Sequence, residues 1–476
     1  MKRYFLLLAT IIVGALTGSA CKTGLFGGGD QSQSSPIVVN GVRVSYADVV
    51  ERTSPAVVRI DAERRTAPQQ FPFGDDDFFR QFIPQQREQG PQLERGMGSG
   101  VIVSADGTIL TNHHVIDGAE KITVSLQNNK TYDAKVVGSD KPSDLAVLKI
   151  DASELPFLQL GDSDAVRVGD IVLAIGNPLG IGQTVTAGII SAKGRSTGIS
   201  DGTFEDFLQT DAPINRGNSG GALVNLSGEL IGINSQILSP SGGNIGIGFS
   251  IPSNMAKGVM EQLVSSGKVR RGMLGINIQD ISEDVASSLE LKDASGVLVS
   301  GVRDGSAAAR AGIKRGDVIV SLNGEKVDSG NVLRNKVAAT APGTELTVGI
   351  WRDGKVIEVK ARLDEFDLAG NAPMQNGGSG GEGGKLGLTL RPLTPETAKR
   401  SGAPAGTKGL LVTEVEPDGA AAESGITPGT IILEINKKQV TDLESVQDAI
   451  GASGGRPVLL LVMSAGRTAY VTVRPR

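Results

Sequence analysis

The sequence predicts a mainly β protein of several domains, and three observations carry that expectation. Short apolar or alternating runs recur between turn signals from about residue 45 to 265, among them VVRI, GVIV, TILTN, LAVLKI, IVLAIG and IGFSI. Glycine stands at 65 residues against 12 Phe, 4 Tyr and 1 Trp, a balance suited to tight turns and close backbone approach. Residues 296–327 align without gaps on 409–440, with 13 of 32 positions identical, so one small domain occurs twice. At 476 residues the chain exceeds a single hydrophobic core. At roughly 150 residues per domain, about three domains are expected.

Residues 1–20 read as an export signal. Lys2 and Arg3 precede an apolar run, Phe5 to Leu16, that is too short to span a bilayer, and Gly18 and Ala20 suit cleavage. The expected location is the periplasm or cell envelope. Cys21 is the sole cysteine, which excludes an internal disulfide. Its position resembles the lipidated cysteine of bacterial lipoproteins, although Gly18 stands where those carry Leu. The alternative is an incidental cysteine beside an ordinary cleavage site. Residues 21–44 read as a Gly/Ser/Gln-rich tether. The 47 basic residues against 52 acidic ones give −5, which provides no broad basic field for nucleic acid. No cofactor and no metal site are expected.

The first large domain spans 45–266. Asp106-Gly107, Asn128-Asn129, Gly161-Asp162, Asn177-Pro178 and Ser227-Gly228 separate its strands. Ser253 is placed to cap a closing helix, Asn254–Ser266, with Met255, Val259 and Leu263 on one face and Gly267 at its stop. Residues 66–95 interrupt the pattern as a long surface loop. Phe71, Phe73, Phe78, Phe79 and Phe82 within it either pack on their own barrel or dock onto another subunit. The repeated domains occupy 268–365 and 385–476. The Gly-rich linker between them, 366–384, leaves the two copies free to move relative to each other.

Chemistry concentrates in three places. The only histidines, His113 and His114, follow the strand TILTN. Asp144 stands at the entrance of LAVLKI. Gly217-Asn218-Ser219-Gly220-Gly221 precedes the hairpin ALVNLSGELIGIN. A serine hydroxyl needs a neutral imidazole to take its proton and backbone N–H groups aimed at the developing oxyanion. Glycine before the serine lets the chain make that turn, and Gly220-Gly221 removes side chains that would crowd a substrate. A phosphate loop would call for a Lys and a following helix, and here a hairpin follows.

TNHHV, SDLAVLKI, DAPINRGNSGGALVN and GNIGIGFSIPSN together resemble the HtrA (Deg, Do-like) family of periplasmic trypsin-fold serine endoproteases. The resemblance implies a trypsin-like double β-barrel followed by two PDZ domains, which are small β-barrels with helices. It implies His114 as base, Asp144 as its orienting acid and Ser219 as nucleophile, with the amides of Gly217, Asn218 and Ser219 as oxyanion hole. His113 receives no role. The family's primary specificity pocket maps onto Ile214, Leu238 and Ile247, all apolar, which implies cleavage after small aliphatic residues. PDZ domains bind a C-terminal peptide as an added strand, its carboxylate held by a short glycine loop. Arg271-Gly272-Met273-Leu274-Gly275-Ile276 matches that loop in the first copy, and Lys385-Leu386-Gly387-Leu388 in the second. The second copy is either a ligand-binding or an assembly domain. The implied partners are unfolded or misfolded proteins and their C-terminal peptides, with a homotrimer or multiple of trimers as the assembly. A chaperone or scaffold that captures unfolded chains is the rival reading.

Overall fold

The computed structural model describes residues 38–39, 42–43, 45–66, 92–177, 182–197, 204–215, 217–239, 243–289, 291, 295–366, 386–404, 406–417, 419–451, 457–464 and 466–474. Cys21, the Phe71–Phe82 segment, the linker glycines and Lys385 lie outside them. Residues 1–48 form one unit, in which Val38–Val39 pairs with Val42–Arg43, and Val49–Arg476 forms the other.

Twelve strands build two closed barrels. In the first, β1 (Val57–Thr66), β2 (Gln92–Ser104), β3 (Thr108–Thr111), β4 (Lys121–Ser125), β5 (Thr131–Asp140) and β6 (Leu145–Ile150) close in the order β1-β2-β3-β6-β5-β4. In the second, β7 (Ile171–Gly176), β8 (Thr184–Arg195), β9 (Phe207–Thr210), β10 (Ala222–Asn225), β11 (Leu230–Ile237) and β12 (Gly248–Pro252) close as β8-β9-β12-β11-β10-β7. All pairings are antiparallel, and inward residues such as Ile60, Ile102, Leu110, Leu148, Ile175, Ile190 and Leu208 are fully buried or nearly so. Closure removes exposed sheet edges and leaves irregular turns at the barrel rims.

Helices follow two of the barrel strands. A single-turn helix, α1 (His113–Ile116), leaves β3, and α2 (Ser253–Ser266) follows β12. Gly267 closes α2 in the left-handed region, its N–H donating to the Leu263 carbonyl. Ser253 departs from the expected cap. It lies inside the helix, and its hydroxyl donates to the Gly161 carbonyl at 2.6 Å, tying α2 to the loop before β7. Ala256, Val259 and Leu263 form the buried stripe, with Met255 only half-buried beside it.

Each repeat forms a sheet with the same strand order. The first comprises β13 (Ile276–Asp280), β14 (Val297–Val302), β15 (Val318–Leu322), β16 (Glu345–Arg352) and β17 (Lys355–Arg362), with helices α3 (Glu283–Ser288), α4 (Ala307–Arg310) and α5 (Gly330–Ala339). The second comprises β18 (Leu388–Pro392), β19 (Leu410–Val415), β20 (Ile431–Ile435), β21 (Val458–Ser464) and β22 (Arg467–Val473). Its helices are α6 (Pro395–Arg400), α7 (Ala420–Glu423) and α8 (Leu443–Gly451). Each has its own core, one around Val299, Ile319 and Val348 and the other around Val412, Ile432 and Leu460.

The expected freedom between the repeats gives way to a shared apolar interface. Val285, Leu289, Leu298 and Val318 of the first pack with Ile431, Leu433, Leu459, Leu461 and Tyr470 of the second. The Gln279 amide donates to the Tyr470 carbonyl at 2.6 Å and accepts from the Tyr470 N–H at 2.9 Å. Arg474 pairs with Asp284 at 2.6 Å, and Arg315 with Glu434. Fully burying one Val- or Leu-sized side chain stabilises by about 1.5–3 kcal/mol. Eight such side chains, with the Tyr470 ring, therefore outweigh the small entropic advantage of leaving a linked pair apart.

Candidate active site

His114 is positioned by its neighbours on α1. Val115 and Ile116 are buried, and Val115 packs where a side chain on Gly98 of β2 would stand. The Arg64 guanidinium donates to the His114 carbonyl at 3.0 Å and the Val115 carbonyl at 3.2 Å, satisfying the end of this short turn. His114 itself remains half exposed at the rim.

Asp144 reaches it from a left-handed turn. Lys141–Ser143 forms one 3-10 turn capped by Asp140, whose carboxylate accepts from the Ser143 N–H at 2.9 Å and hydroxyl at 2.5 Å. Asp144 follows at φ 54° and ψ 40°, a conformation Asp tolerates better than most residues. Its Oδ2 and Oδ1 lie 2.8 and 3.0 Å from His114 Nδ1, and Oδ1 also accepts from the His114 N–H at 3.0 Å. The Asp144 carbonyl accepts from the His113 N–H and from Asn112 Nδ2. One turn thus fixes both the ring, through Nδ1, and the backbone of the histidine.

Ser219 arrives from the second barrel's rim. Its hydroxyl donates to the Ser235 carbonyl at 2.9 Å, and the Ser235 hydroxyl donates to Asp144 Oδ2 at 2.9 Å. Ser235 of β11 therefore links Ser219 to Asp144. Sequence reasoning missed it, because a serine in the apolar strand LIGINSQI carries no periodic signal.

The loop before Ser219 sorts its peptide groups. The Asn218 N–H donates to the Asn215 carbonyl at 3.0 Å, the Gly220 N–H to Asn234 at 2.7 Å and the Gly221 N–H to Asn218 at 2.9 Å. Of the three amides expected to form an oxyanion hole, Asn218 is thus engaged within the loop. The Gly217 and Ser219 amides have no acceptor among the described residues. Gly220 and Gly221 serve a different purpose from the expected one. A Cβ on Gly220 would lie 2.1 Å from the Ser99 carbonyl, and one on Gly221 2.3 Å from the Ile175 carbonyl. Their missing side chains admit the strands of the two barrels, not a substrate.

Ile214 is 1% exposed within the second barrel's core, and its side chain lies against Gly248. Leu238 is 46% exposed, and its N–H donates to the Ile247 carbonyl at 3.2 Å. The three residues therefore cluster at one rim, with Leu238 offering the open apolar surface.

In the first repeat, Leu274 is buried, Gly275 has φ +75°, and the Gly275 carbonyl accepts from the Arg303 N–H at 2.9 Å. The Leu274 and Gly275 amides have no acceptor among the described residues. Leu386 and Gly387 repeat this arrangement, with the Glu416 N–H donating to Gly387 at 2.9 Å. The two loops differ in the residue beside them, Arg303 in the first and Glu416 in the second. The Glu416 carboxylate lies 3.3 Å from where a Cβ on Gly387 would be.

Arg271 departs from the expected peptide loop, and the Gly272 amide is bonded to the Thr340 carbonyl. The Arg271 guanidinium is buried on the protease side, Nη1 and Nη2 donating to Asp140 Oδ1 and Oδ2 at 2.8 and 2.5 Å. It also lies 4.6 Å over the Phe204 ring, which meets Phe366 edge-on. A buried guanidinium demands a bidentate carboxylate, and Asp140 supplies it.

The peptidase half and both repeats match known family models. Residues 98–233 match a trypsin-like peptidase domain, and 272–363 and 411–463 each match a PDZ domain. A probable periplasmic serine endoprotease, DegP-like, of Chlamydia trachomatis is 41% identical over 464 residues, covering 94% of this chain and 92% of its own. The chain belongs to the DegP/HtrA family of periplasmic serine endoproteases. A probable periplasmic serine protease, do/HhoA-like, of Haemophilus influenzae is 43% identical over 418 residues, covering 85% of this chain and 87% of its own. Among solved structures, the HtrA-type protease AlgW with decapeptide aligns with a TM-score of 0.54 at 44% identity, covering 68% of this chain and 99% of that one. The family assignment makes this chain a serine endopeptidase with a trypsin-like domain and two PDZ domains. Among the described residues, no helix is long and apolar enough to cross a membrane.

Proposed function

We propose that the chain cleaves misfolded envelope proteins without ATP, using Ser219 as nucleophile, His114 as general base and Asp144 as its orienting acid. The observation that carries this reading is the grip of the Asp144 carboxylate on both the ring and the backbone N–H of His114. Ser219 attacks the scissile carbonyl after rotating its hydroxyl from the Ser235 carbonyl to His114 Nε2. His114 takes the proton and later delivers it to the leaving amine, while Asp144 stabilises the imidazolium. The Gly217 and Ser219 amides receive the oxyanion, each donor lowering the barrier by about 3 kcal/mol.

Leu238, Ile247 and Ile214 favour small aliphatic side chains before the cut. Such side chains are buried in folded proteins, so exposed cores become the substrates. The first PDZ domain is the stronger candidate for C-terminal peptides, since Arg303 beside its loop favours a carboxylate and Glu416 beside the other opposes one. Peptide capture there is transmitted through Arg271 and Asp140 to the turn that carries Asp144. Export through residues 1–20, anchoring at Cys21, chaperone activity and a trimer-based assembly complete the proposal. The relatives' names, which call them periplasmic, support the envelope setting.

The test is digestion of unfolded casein by the full chain with and without hydrophobic C-terminal peptides. Activity should respond to the peptide and vanish in Ser219→Ala. Residual digestion by Ser219→Ala would remove the nucleophile assignment.

A further inference from the structure

Ser99 lies on β2, in the opposite barrel from Ser219, and is fully buried. Each of its polar groups is directed at the active-site rim. Its hydroxyl donates to the Gly217 carbonyl at 2.5 Å and accepts from the Asn177 N–H at 2.8 Å. Its N–H donates to the Ser219 carbonyl at 2.8 Å, and its carbonyl accepts from the Thr111 hydroxyl at 2.7 Å.

These bonds decide which amides face a substrate. In a trans peptide, C=O and N–H point in opposite directions, so tying both ends fixes the plane. The Gly217–Asn218 peptide is tied by the Ser99 hydroxyl at its oxygen and by the Asn215 carbonyl at its nitrogen. The Ser219–Gly220 peptide is tied by the Ser99 N–H and the Asn234 carbonyl. With these two planes locked, the peptide between them presents the Ser219 N–H outward, and the Gly217 N–H precedes the first lock. Both ties on the carbonyl side come from Ser99. The Asn177 N–H occupies the hydroxyl oxygen, so the hydroxyl's proton is committed to Gly217, and that donation is strengthened by its own partner.

We infer that Ser99 is a positioning residue that sets the oxyanion hole of this protease from the opposite barrel. The inference rests on the proposed role of Ser219 and its amides. Ser99 touches no reacting atom; it acts on the transition state through Gly217. Its loss should therefore lower kcat and spare ground-state binding, because the amides matter most when the oxyanion develops.

The experiment compares wild type, Ser99→Ala and Ser99→Thr as full chains on a fluorogenic peptide. It also follows inactivation by a fluorophosphonate and binding of the uncleaved peptide in a Ser219→Ala background. Removing one oxyanion donor outright lowers kcat by about 100- to 1000-fold, so misaiming it should lower kcat by about 10- to 100-fold. KM and uncleaved-peptide affinity should stay within about 3-fold, fluorophosphonate inactivation should slow in parallel with kcat, and a folded Ser99→Thr should keep most activity. The inference is overturned if folded Ser99→Ala keeps kcat within about 3-fold, or if peptide affinity falls as far as kcat. A folded Ser99→Thr as slow as Ser99→Ala overturns it equally. Casein digestion surviving in Ser219→Ala would instead overturn the underlying reading, an outcome independent of Ser99.

Discussion

Replacing Arg271 with Leu should detach the first PDZ domain from the turn that carries Asp144. Both side chains of the pair are 7% exposed, and the two contacts run at 2.8 and 2.5 Å. Removing one partner of a buried pair costs about 3–5 kcal/mol, mainly from the charge left behind. Asp140 keeps the Ser143 N–H and hydroxyl as donors, which places the cost near the low end, about 3 kcal/mol. The loss of stacking on Phe204 adds about 1 kcal/mol. The measurement is a denaturation cycle over Arg271→Leu, Asp140→Asn and the double variant. The double variant should be little less stable than either single one, with a coupling of about 2 kcal/mol or more. In parallel, stimulation of cleavage by a hydrophobic C-terminal peptide should disappear in Arg271→Leu. Additive effects with coupling below about 0.5 kcal/mol, together with unchanged stimulation, would refute the link.

Two further outcomes follow from the charges. Asp206 lines a cavity of about 340 Å³ between the second barrel and α5, together with Asp164, Lys193 and Asp328. Burial, then the neighbouring Asp164, pushes its carboxyl above the ordinary carboxylate range. A carboxyl raised on folding contributes stability that is fully present below its unfolded value and lost as pH rises through the folded one. The difference in denaturation midpoint between wild type and Asp206→Asn should therefore move against wild type as pH rises above the ordinary aspartate value; a difference that does not change with pH would contradict this. Glu416→Arg should give the second PDZ domain affinity for a free C-terminal carboxylate, seen as a second binding site per chain by calorimetry. Unchanged stoichiometry would show that Glu416 does not set the ligand's charge.

Much of this was legible beforehand because the signals are local. Alternating runs and turn dipeptides pointed to a β-rich first domain, the family resemblance to its two barrels, and Gly217-Asn218-Ser219 to a glycine-bearing turn ahead of a serine. What escaped depends on partners far apart in sequence. Arg271 sits in a motif that points to a peptide loop, while its partner Asp140 lies 131 positions away. Ser99 and Ser235 are small polar residues in apolar strands, where nothing local separates a structural serine from one aimed at the catalytic rim. The docked repeats did leave a signal. β21, VLLLVMS, is buried on both faces for six residues, and an uninterrupted apolar strand implies cover on each side. The glycine-rich linker composition drew attention to freedom of movement instead.

Labelling the full chain with a fluorophosphonate and locating the adduct by mass spectrometry tests the central claim most directly. A single adduct on Ser219, lost in His114→Ala with the fold retained, is the predicted result. A well-folded chain that takes no label, or takes it on another serine, would contradict the account.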